Sequence, residues 1–460
     1  MANQKKKLTF DGIRKLVSQK GITIHFVGIG GVSMYSLARL ALLLGARVTG
    51  SDRIVSPRTK ELALRGVKIF IGHEGSNVRG AGLVVYSHAI SERNSELINA
   101  NNLGIPTVSR AELLGALMLD YKGRIGISGT HGKSTTVSML DAIFSAGMSQ
   151  PTTLSGAELI NGEPLRVGRG EMLIYEACEY RDSFLCFSPT VAIALNLELD
   201  HTDYFHDIKA MRSSYVKALS KATTFVLLNL DDEHLSEIMY DIHARVITFG
   251  QGERADWRYN ITAFLDDGME FTLYHHGAKV VKIKLSVPGV HNVTDAAAAA
   301  AAALEMGAGV QIVKEAIESF RGVPRRLELV GNHQGRPVYY DYAHHPTEII
   351  AGINALKPIA RDFITVVFKP HTFSRTMALW SEFSAALSLA DHIVLTDIYP
   401  AREKPITGVN SRRLAADIGE RAYYAADHEV CSVIDEHTQG VIIVMGAGDT
   451  EMIKNDLISK

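Results

Sequence analysis

Gly126-Ile127-Ser128-Gly129-Thr130-His131-Gly132-Lys133-Ser134-Thr135-Thr136 follows a short apolar run over residues 124–128 and precedes a stretch, 135–146, with the composition of a helix. A glycine-rich turn between a strand and a helix is phosphate-binding architecture. Small residues let backbone N–H groups approach phosphate oxygens, and the helix N-terminus adds partial positive charge. Lys133 is placed to reach β/γ-phosphates, and Ser134 or a neighbouring threonine to put a hydroxyl on Mg²⁺. The strict P-loop spacing asks for a glycine where Ile127 stands, so the match is to a shortened form that starts at Gly129.

The chain around this loop is long. At 460 residues, and with about 150 residues per domain as a prior, roughly three domains are expected, placed at 1–122, 123–322 and 323–460. Apolar content of 46%, charged content of 21% and a net charge of −2 describe an ordinary globular protein, with no electrostatic signature of a nucleic-acid or acidic-membrane partner. Lys5-Lys6-Lys7 reads as a solvated tail. Cys178, Cys186 and Cys431 form neither a disulfide framework nor a spaced metal site, which favours a reducing, cytoplasmic setting. No apolar run approaches the roughly 18 residues of a membrane span, and no signal-peptide core is visible. The alanine run 296–303 reads as a tightly packed helix.

Toward the N-terminus, the β-branched run 22–27 enters Gly28-Ile29-Gly30-Gly31-Val32-Ser33, followed by helical spacing over 34–44 and a strand over 46–49 that ends at Ser51-Asp52. This βαβ start resembles a dinucleotide fingerprint with Ser33 in place of the third glycine. Its ligand is either NAD or another nucleotide diphosphate. The strand over 83–87 ends in Ser87-His88-Ala89-Ile90, a polar step where a ligand contact or a plain loop histidine would both fit.

Toward the C-terminus, the strand 172–175 delivers Glu176, Ala177, Cys178 and Glu179, and the strand 190–195 delivers Asn196 through His201, Thr202 and Asp203. Carboxylate and imidazole at two strand ends beside a phosphate loop suit metal-assisted phosphoryl transfer. Ser134 and Glu176 are oxygen donors suited to Mg²⁺, whereas His201 serves a second metal ion or positions substrate. A third strand, 224–228, closes with Asn229-Leu230-Asp231-Asp232. Turns at Asp266-Asp267-Gly268 and His275-His276-Gly277 indicate appended hairpins, and Pro288-Gly289-Val290-His291-Asn292 leads into the alanine helix as an adenine edge or a helix cap.

Beyond the Arg325-Arg326 pair at the last linker, strands over 338–341, 365–368, 393–396 and 442–445 each end in a polar cluster: Tyr342-Ala343-His344-His345-Pro346, Lys369-Pro370-His371 through Arg375-Thr376, Asp397 through Tyr399-Pro400-Ala401-Arg402-Glu403, and Gly446-Ala447-Gly448-Asp449. This describes a further open α/β sheet with its ligand face at the carboxyl ends.

Taken together, these motifs, with Val85-Tyr86-Ser87-His88, Gly129-Thr-His-Gly-Lys-Ser, Glu176-Ala-Cys-Glu, Asp200-His201, His291-Asn292, Arg325-Arg326 and Asp341-Tyr342-Ala343-His344-His345-Pro346-Thr347-Glu348 in that order, resemble the Mur ligases over essentially the whole chain. The shortened P-loop is that family's form. The resemblance implies a three-domain α/β fold: a Rossmann-like domain for a UDP-sugar, a central P-loop ATPase domain with added β-hairpins, and a C-terminal Rossmann-like domain that closes over ATP and an amino acid. It implies peptidoglycan precursor synthesis, hence cell wall biogenesis, cell shape and division. Among the branches of the family it favours the reaction that joins L-alanine to the lactyl carboxylate of UDP-N-acetylmuramate through an acyl phosphate, with ATP and Mg²⁺. The alternative is a recycling ligase that adds a whole tripeptide to the same UDP-sugar. An NAD-dependent oxidoreductase and a nucleotide-gated binding protein are the rivals from other classes.

By the same resemblance, Gly129 through Thr135 (with Thr130, His131, Gly132, Lys133 and Ser134) hold ATP, together with His291, Asn292, Arg326 and Asp341. Ser134, Glu176 and His201 serve the metal. Gly28, Ile29, Gly30, Gly31, Ser33, Asp52, Ser87 and His88 hold the UDP-sugar. Tyr342, His344, His371 and Arg375 form the amino-acid end, and Lys133, Glu176, His201, His344 and Arg375 are the catalytic set. Two departures from common family patterns stand out: Tyr340-Asp341 where many members carry two aspartates, and Thr372 where some carry arginine. A monomer or weak homodimer, without membrane insertion, is expected.

Overall fold

The computed structural model describes residues 8–459 apart from 160–161, 202–203, 266–267, 361 and 402. Lys5-Lys6-Lys7, Thr202-Asp203, Asp266-Asp267 and Arg402 therefore lie outside the described residues. Chain contacts group into two compact units, Met1–Arg258 with Ala298–Val313, and Tyr259–Ala297 with Lys314–Lys460.

The first unit holds two α/β sheets. The leading one has five parallel strands in the order Lys68–Ile71, Arg47–Asp52, Thr23–Val27, Leu83–Tyr86, Thr107–Ser109. The strand order reverses direction between Thr23–Val27 and Leu83–Tyr86, so the Gly28 loop and the Ser87-His88 loop both leave the sheet at the topological switch point, where open α/β sheets bind ligands. Central strands buried on both faces require continuous apolar runs, and Phe26, Val27, Val84 and Val85 are fully buried.

The second sheet is organised around Gly123–Ser128. Met172–Glu176 lies on one side of it and Val191–Ala194 on the other, both parallel to it, with Phe225–Asn229 and Val246–Gly250 beyond the latter and Thr152–Leu154 beyond the former. This order decides the site. The loop after Gly123–Ser128 is flanked by the ends of both neighbours, so Glu176 and the Asn196 segment arrive on either side of it. Gly126 is required inside the strand because a Cβ there would sit 2.7 Å from the hydroxyl of buried Tyr175. The helix Lys133–Ala146 begins at the second glycine of the loop, Gly132, whose φ of 82° is a left-handed conformation that glycine adopts without a side-chain clash.

In the second unit, Gly268–His275 and Ala278–Leu285 form an antiparallel hairpin with a turn at His276 and Gly277, both of positive φ. The helix Val290–Glu305, which belongs to this unit as far as Ala297 and to the first unit from Ala298, carries the alanine run, every residue of which is fully buried. Alanine lets backbones approach closely. A six-stranded sheet follows in the order Glu328–His333, Arg336–Asp341, Val441–Met445, Ile364–Phe368, His392–Leu395, Ala422–Tyr424, parallel except for the antiparallel first pair. Among the described residues, no helix is long and apolar enough to cross a membrane.

Candidate active site

The loop at Gly129–Ser134 is held in shape from one neighbouring strand end. The His131 N–H donates to Asn196 Oδ1 at 2.8 Å, and Asn196 Nδ2 returns a bond to the His131 carbonyl at 3.2 Å. Thr130 Oγ1 accepts from the Glu198 N–H at 2.9 Å and donates to the Glu198 carbonyl at 3.1 Å. Gly129, at φ 146°, passes so close to the same segment that a Cβ would meet that of Leu195 at 3.1 Å. The other strand end supplies carboxylate. Ser134 Oγ donates to Glu176 Oε1 at 2.6 Å, and the same oxygen accepts from the Gly156 N–H at 2.6 Å and Ser155 Oγ at 3.2 Å.

Lys133 Nζ donates to the carbonyls of Gly129 and Thr130 and lies 3.6 Å from Glu179 Oε2. Burial alone would push its pKa down, but the carboxylates, with Glu179 first and Glu176 and Asp200 behind it, outweigh that and hold it above the ordinary lysine value. The ammonium is therefore charged at neutral pH. His201, at φ 54°, packs its ring 4.6 Å from that of Tyr180 and points Nε2 at Glu179 Oε1, 3.8 Å away, and at Asp200 Oδ2, 3.9 Å away. The Cys178 thiol is raised by burial and by Glu179.

In the first sheet, the Gly28 and Ile29 N–H groups donate to the Ser51 carbonyl at 2.8 and 3.0 Å, while the Gly30 N–H donates to Asp52 Oδ2 at 2.8 Å. The acid at the end of the second strand thus braces the glycine loop. A Cβ at Gly30 would lie 2.9 Å from that carboxylate oxygen. Ser87 Oγ accepts from the Ala89 N–H at 3.1 Å, and His88 stands edge-on to Tyr86. Burial, then Arg181 and Arg110, keep the His88 imidazole below its ordinary pKa and hence neutral. Ser33 and Ser36 share a cavity of about 150 Å³ with Lys133, Glu176, Ser155 and Arg110, so the first turns of the helices that follow the two glycine loops face one space.

The second unit brings its candidate residues together at the carboxyl ends of the six-stranded sheet. Asp341 accepts from the Leu327 and Ala343 N–H groups at 2.8 and 2.7 Å, and burial pushes its carboxyl up to about 6 against the opposing pull of Arg326. Arg326 lies 3.6 Å from Glu348, which accepts from the His344 N–H at 2.9 Å and lies 3.2 Å from His344 Nδ1. The rings of Tyr342 and His344 are 5.3 Å apart, those of His344 and His371 6.0 Å, and His371 stacks on Tyr399 at 5.6 Å. Burial, then His344 and Arg375, lower the His371 pKa to about 4. Asn292 donates from Nδ2 to the Pro288 carbonyl at 2.6 Å, and His291 stands beside it in the first turn of Val290–Glu305.

Sequence reading gave no role to Glu179, Asn196, Arg110 or Lys369. The first two stand in motifs that were visible, but their partners lie far along the chain. Lys369, 5% exposed, is held between Asp427 at 2.6 Å and Asp449 at 2.9 Å, tying three loops together.

A phosphate loop with a charged lysine and a serine–glutamate oxygen pair, on a chain that adds two more open α/β sheets, defines an enzyme that uses a nucleoside triphosphate and holds its other reactants on separate sheets. Comparison with known proteins gives the class a family. The descriptions "Mur ligase family, catalytic domain", "Mur ligase middle domain" and "Mur ligase, glutamate ligase domain" match residues 23–122, 127–303 and 325–450. The chain belongs to the Mur ligase family, whose members are ATP-dependent, ADP-forming ligases of peptidoglycan synthesis, and it has the family's three-domain α/β fold. It is 40% identical over 437 residues to a UDP-N-acetylmuramate–L-alanine ligase of Acetivibrio thermocellus, covering 93% of each chain. A solved UDP-N-acetylmuramate–alanine ligase from Thermotoga maritima superposes with a TM-score of 0.81 at 28% identity, covering 95% of this chain and 98% of that one. A murein peptide ligase from Psychrobacter arcticus superposes with a TM-score of 0.71 at 25% identity, with the same coverage.

Proposed function

We propose that this protein joins L-alanine to the lactyl carboxylate of UDP-N-acetylmuramate in the cytoplasm, cleaving ATP to ADP and phosphate. The observation that carries the reading is the 40% identity, over 93% of both chains, to a ligase named for that reaction. The site chemistry agrees with it. A carboxylate is a poor acyl donor because its oxygen is a poor leaving group, and phosphorylation replaces it with a good one. The lactyl oxygen attacks the γ-phosphorus, ADP leaves, the alanine nitrogen attacks the acyl phosphate, and phosphate leaves.

The work of the protein is positioning and charge neutralisation. Loop N–H groups and Lys133 would hold the β/γ-phosphates, with the ammonium kept charged by Glu179. Ser134 and Glu176, two oxygen donors 2.6 Å apart, fit a hard divalent cation such as Mg²⁺. When bound, Mg²⁺ supplies further neutralisation of the phosphate charge. The Gly28–Ser33 loop with Asp52, Ser87 and His88 would take the UDP-sugar. His291, Asn292, Arg326 and Asp341 would serve ATP, and Tyr342, His344, His371 and Arg375 the amino acid. The alanine ammonium must lose a proton before it attacks; His371, with a pKa of about 4, is too weak a base to hold that proton and instead presents an uncharged ring to the amine.

The test is phosphate release from ATP with UDP-N-acetylmuramate and a panel of L-alanine, glycine, L-serine and the tripeptide. Release driven by L-alanine is expected. Release driven by the tripeptide in its place would establish the recycling reaction that the likeness to the murein peptide ligase makes the alternative.

A further inference from the structure

Arg110 is the first residue of the helix Arg110–Leu117, whose start is fixed without its side chain. Ser109 Oγ accepts from the Glu112 N–H at 3.2 Å, and Glu112 Oε2 accepts from the Ser109 N–H at 2.8 Å, a reciprocal capping box. The guanidinium is half-buried and, among the described residues, makes neither an ion pair nor a hydrogen bond. It lines the cavity of about 150 Å³ that also presents Ser33 and Ser36 from the first sheet and Lys133 and Glu176 from the second. Its charge reaches both sides, contributing to the lowered pKa of His88 and opposing the rise of the Cys178 thiol.

A guanidinium is permanently charged, and its planar fork matches a carboxylate or phosphate bidentately. Holding one half-buried without an ion-pair partner is costly, and an anionic ligand reduces that cost. Two anions of the UDP-sugar are candidates. On the assignment above the diphosphate belongs with the Gly28–Gly31 backbone, whereas this cavity is also lined by Lys133, assigned to the γ-phosphate end. The group that must come to rest there is the lactyl carboxylate. It approaches a phosphate of its own sign, and a fixed cation between them reduces that repulsion.

We propose that Arg110 binds the lactyl carboxylate of UDP-N-acetylmuramate and holds it in line with the γ-phosphate site at Lys133. This rests on the substrate assigned above. Calorimetric titration of wild type, R110M and R110K with UDP-N-acetylmuramate and with UDP-N-acetylglucosamine, which lacks the lactyl group, separates the possibilities. R110M should weaken UDP-N-acetylmuramate by about 10- to 100-fold, the range for a hydrogen-bonded charge pair, and leave UDP-N-acetylglucosamine within about twofold. Equal weakening of both sugars would assign Arg110 to the diphosphate and overturn the proposal, as would unchanged affinity for UDP-N-acetylmuramate. If R110M melts below wild type, R110K decides, with a selective loss for UDP-N-acetylmuramate expected and equal or absent loss refuting. Wild-type protein that binds UDP-N-acetylglucosamine but not UDP-N-acetylmuramate would instead sink the substrate assignment itself.

Discussion

Replacing Lys133 by methionine should cost stability as well as activity, and the two losses should separate. Glu179, whose side chain is 1% exposed, faces Lys133 Nζ at 3.6 Å, and among the described residues its Oε2 has no hydrogen-bond partner. In Lys133→Met the carboxylate keeps only His201 Nε2, 3.8 Å from its other oxygen. Stranding one member of a buried ion pair costs about 3–5 kcal/mol. The long pair distance and the remaining imidazole place this case at the lower end, about 3 kcal/mol. At roughly 2–4 °C per kcal/mol for a unit of this size, the melting temperature of the first unit should fall by about 6–12 °C. Adding Glu179→Gln removes the stranded charge, so the double variant should recover most of that loss. Acyl-phosphate formation, followed by ADP release without amino acid, should stay abolished in both variants because the ammonium proposed to hold the phosphates is gone. Differential scanning calorimetry of wild type, both single variants and the double variant completes the cycle. A Lys133→Met protein that melts with wild type, or a double variant no more stable than Lys133→Met, would refute the pairing argument.

Asp341 gives a pH-dependent counterpart. Its folded pKa of about 6 lies above the 3.8 of an exposed aspartate, so the native state keeps a proton between those values that the unfolded chain releases. Stability from this group is therefore present at low pH and lost as pH rises through that window, by on the order of 3 kcal/mol. In denaturant titrations the stability of wild type relative to Asp341→Asn should fall by about that amount between about pH 4 and pH 7, and parallel pH curves would count against the buried-acid argument. His371, with its pKa near 4, stays neutral across the physiological range. The ratio of wild-type to His371→Gln activity should accordingly be flat from about pH 5.5 to pH 8, and a midpoint near that of a free imidazole would show that the ring is solvated during turnover.

Much of this was legible in the sequence wherever function and fold are written in neighbouring residues. Parallel strands covered on both faces read as apolar runs, so 172–175 and 442–445 announced strands that end at Glu176 and at Gly446. Glycine loops announced themselves through the conformations that their backbones need. Edge strands did not: Lys68–Ile71, four residues with partly exposed side chains, and the three-residue Ala422–Tyr424 are too short to stand out as elements. The site follows the same division. Lys133 and Ser134 are local to their loop, whereas Arg110 reads as an ordinary helix start, and only the packing of that helix beside the central sheet brings its guanidinium to the cavity with Lys133. Asn196 likewise looks like a loop residue until strand order sets it against the His131 backbone.

The two glutamates of one short motif, Glu176 and Glu179, show how the fold divides tasks that the sequence leaves undivided. Glu176 ends its strand with one carboxylate oxygen engaged by the Ser134 hydroxyl, the Ser155 hydroxyl and the Gly156 N–H. Those bonds hold Ser134 in place. Glu179 lies three residues on, past the strand end, where it faces Lys133 and His201. Its charge offsets the burial that would otherwise discharge the lysine. Were one carboxylate to do both, any change at Lys133 would disturb the Ser134 hydroxyl as well. Placed apart, the acid that keeps the lysine charged and the acid that fixes the serine respond independently, so on the proposed reaction the loop would meet the charge of a γ-phosphate without losing the geometry that Glu176 gives Ser134.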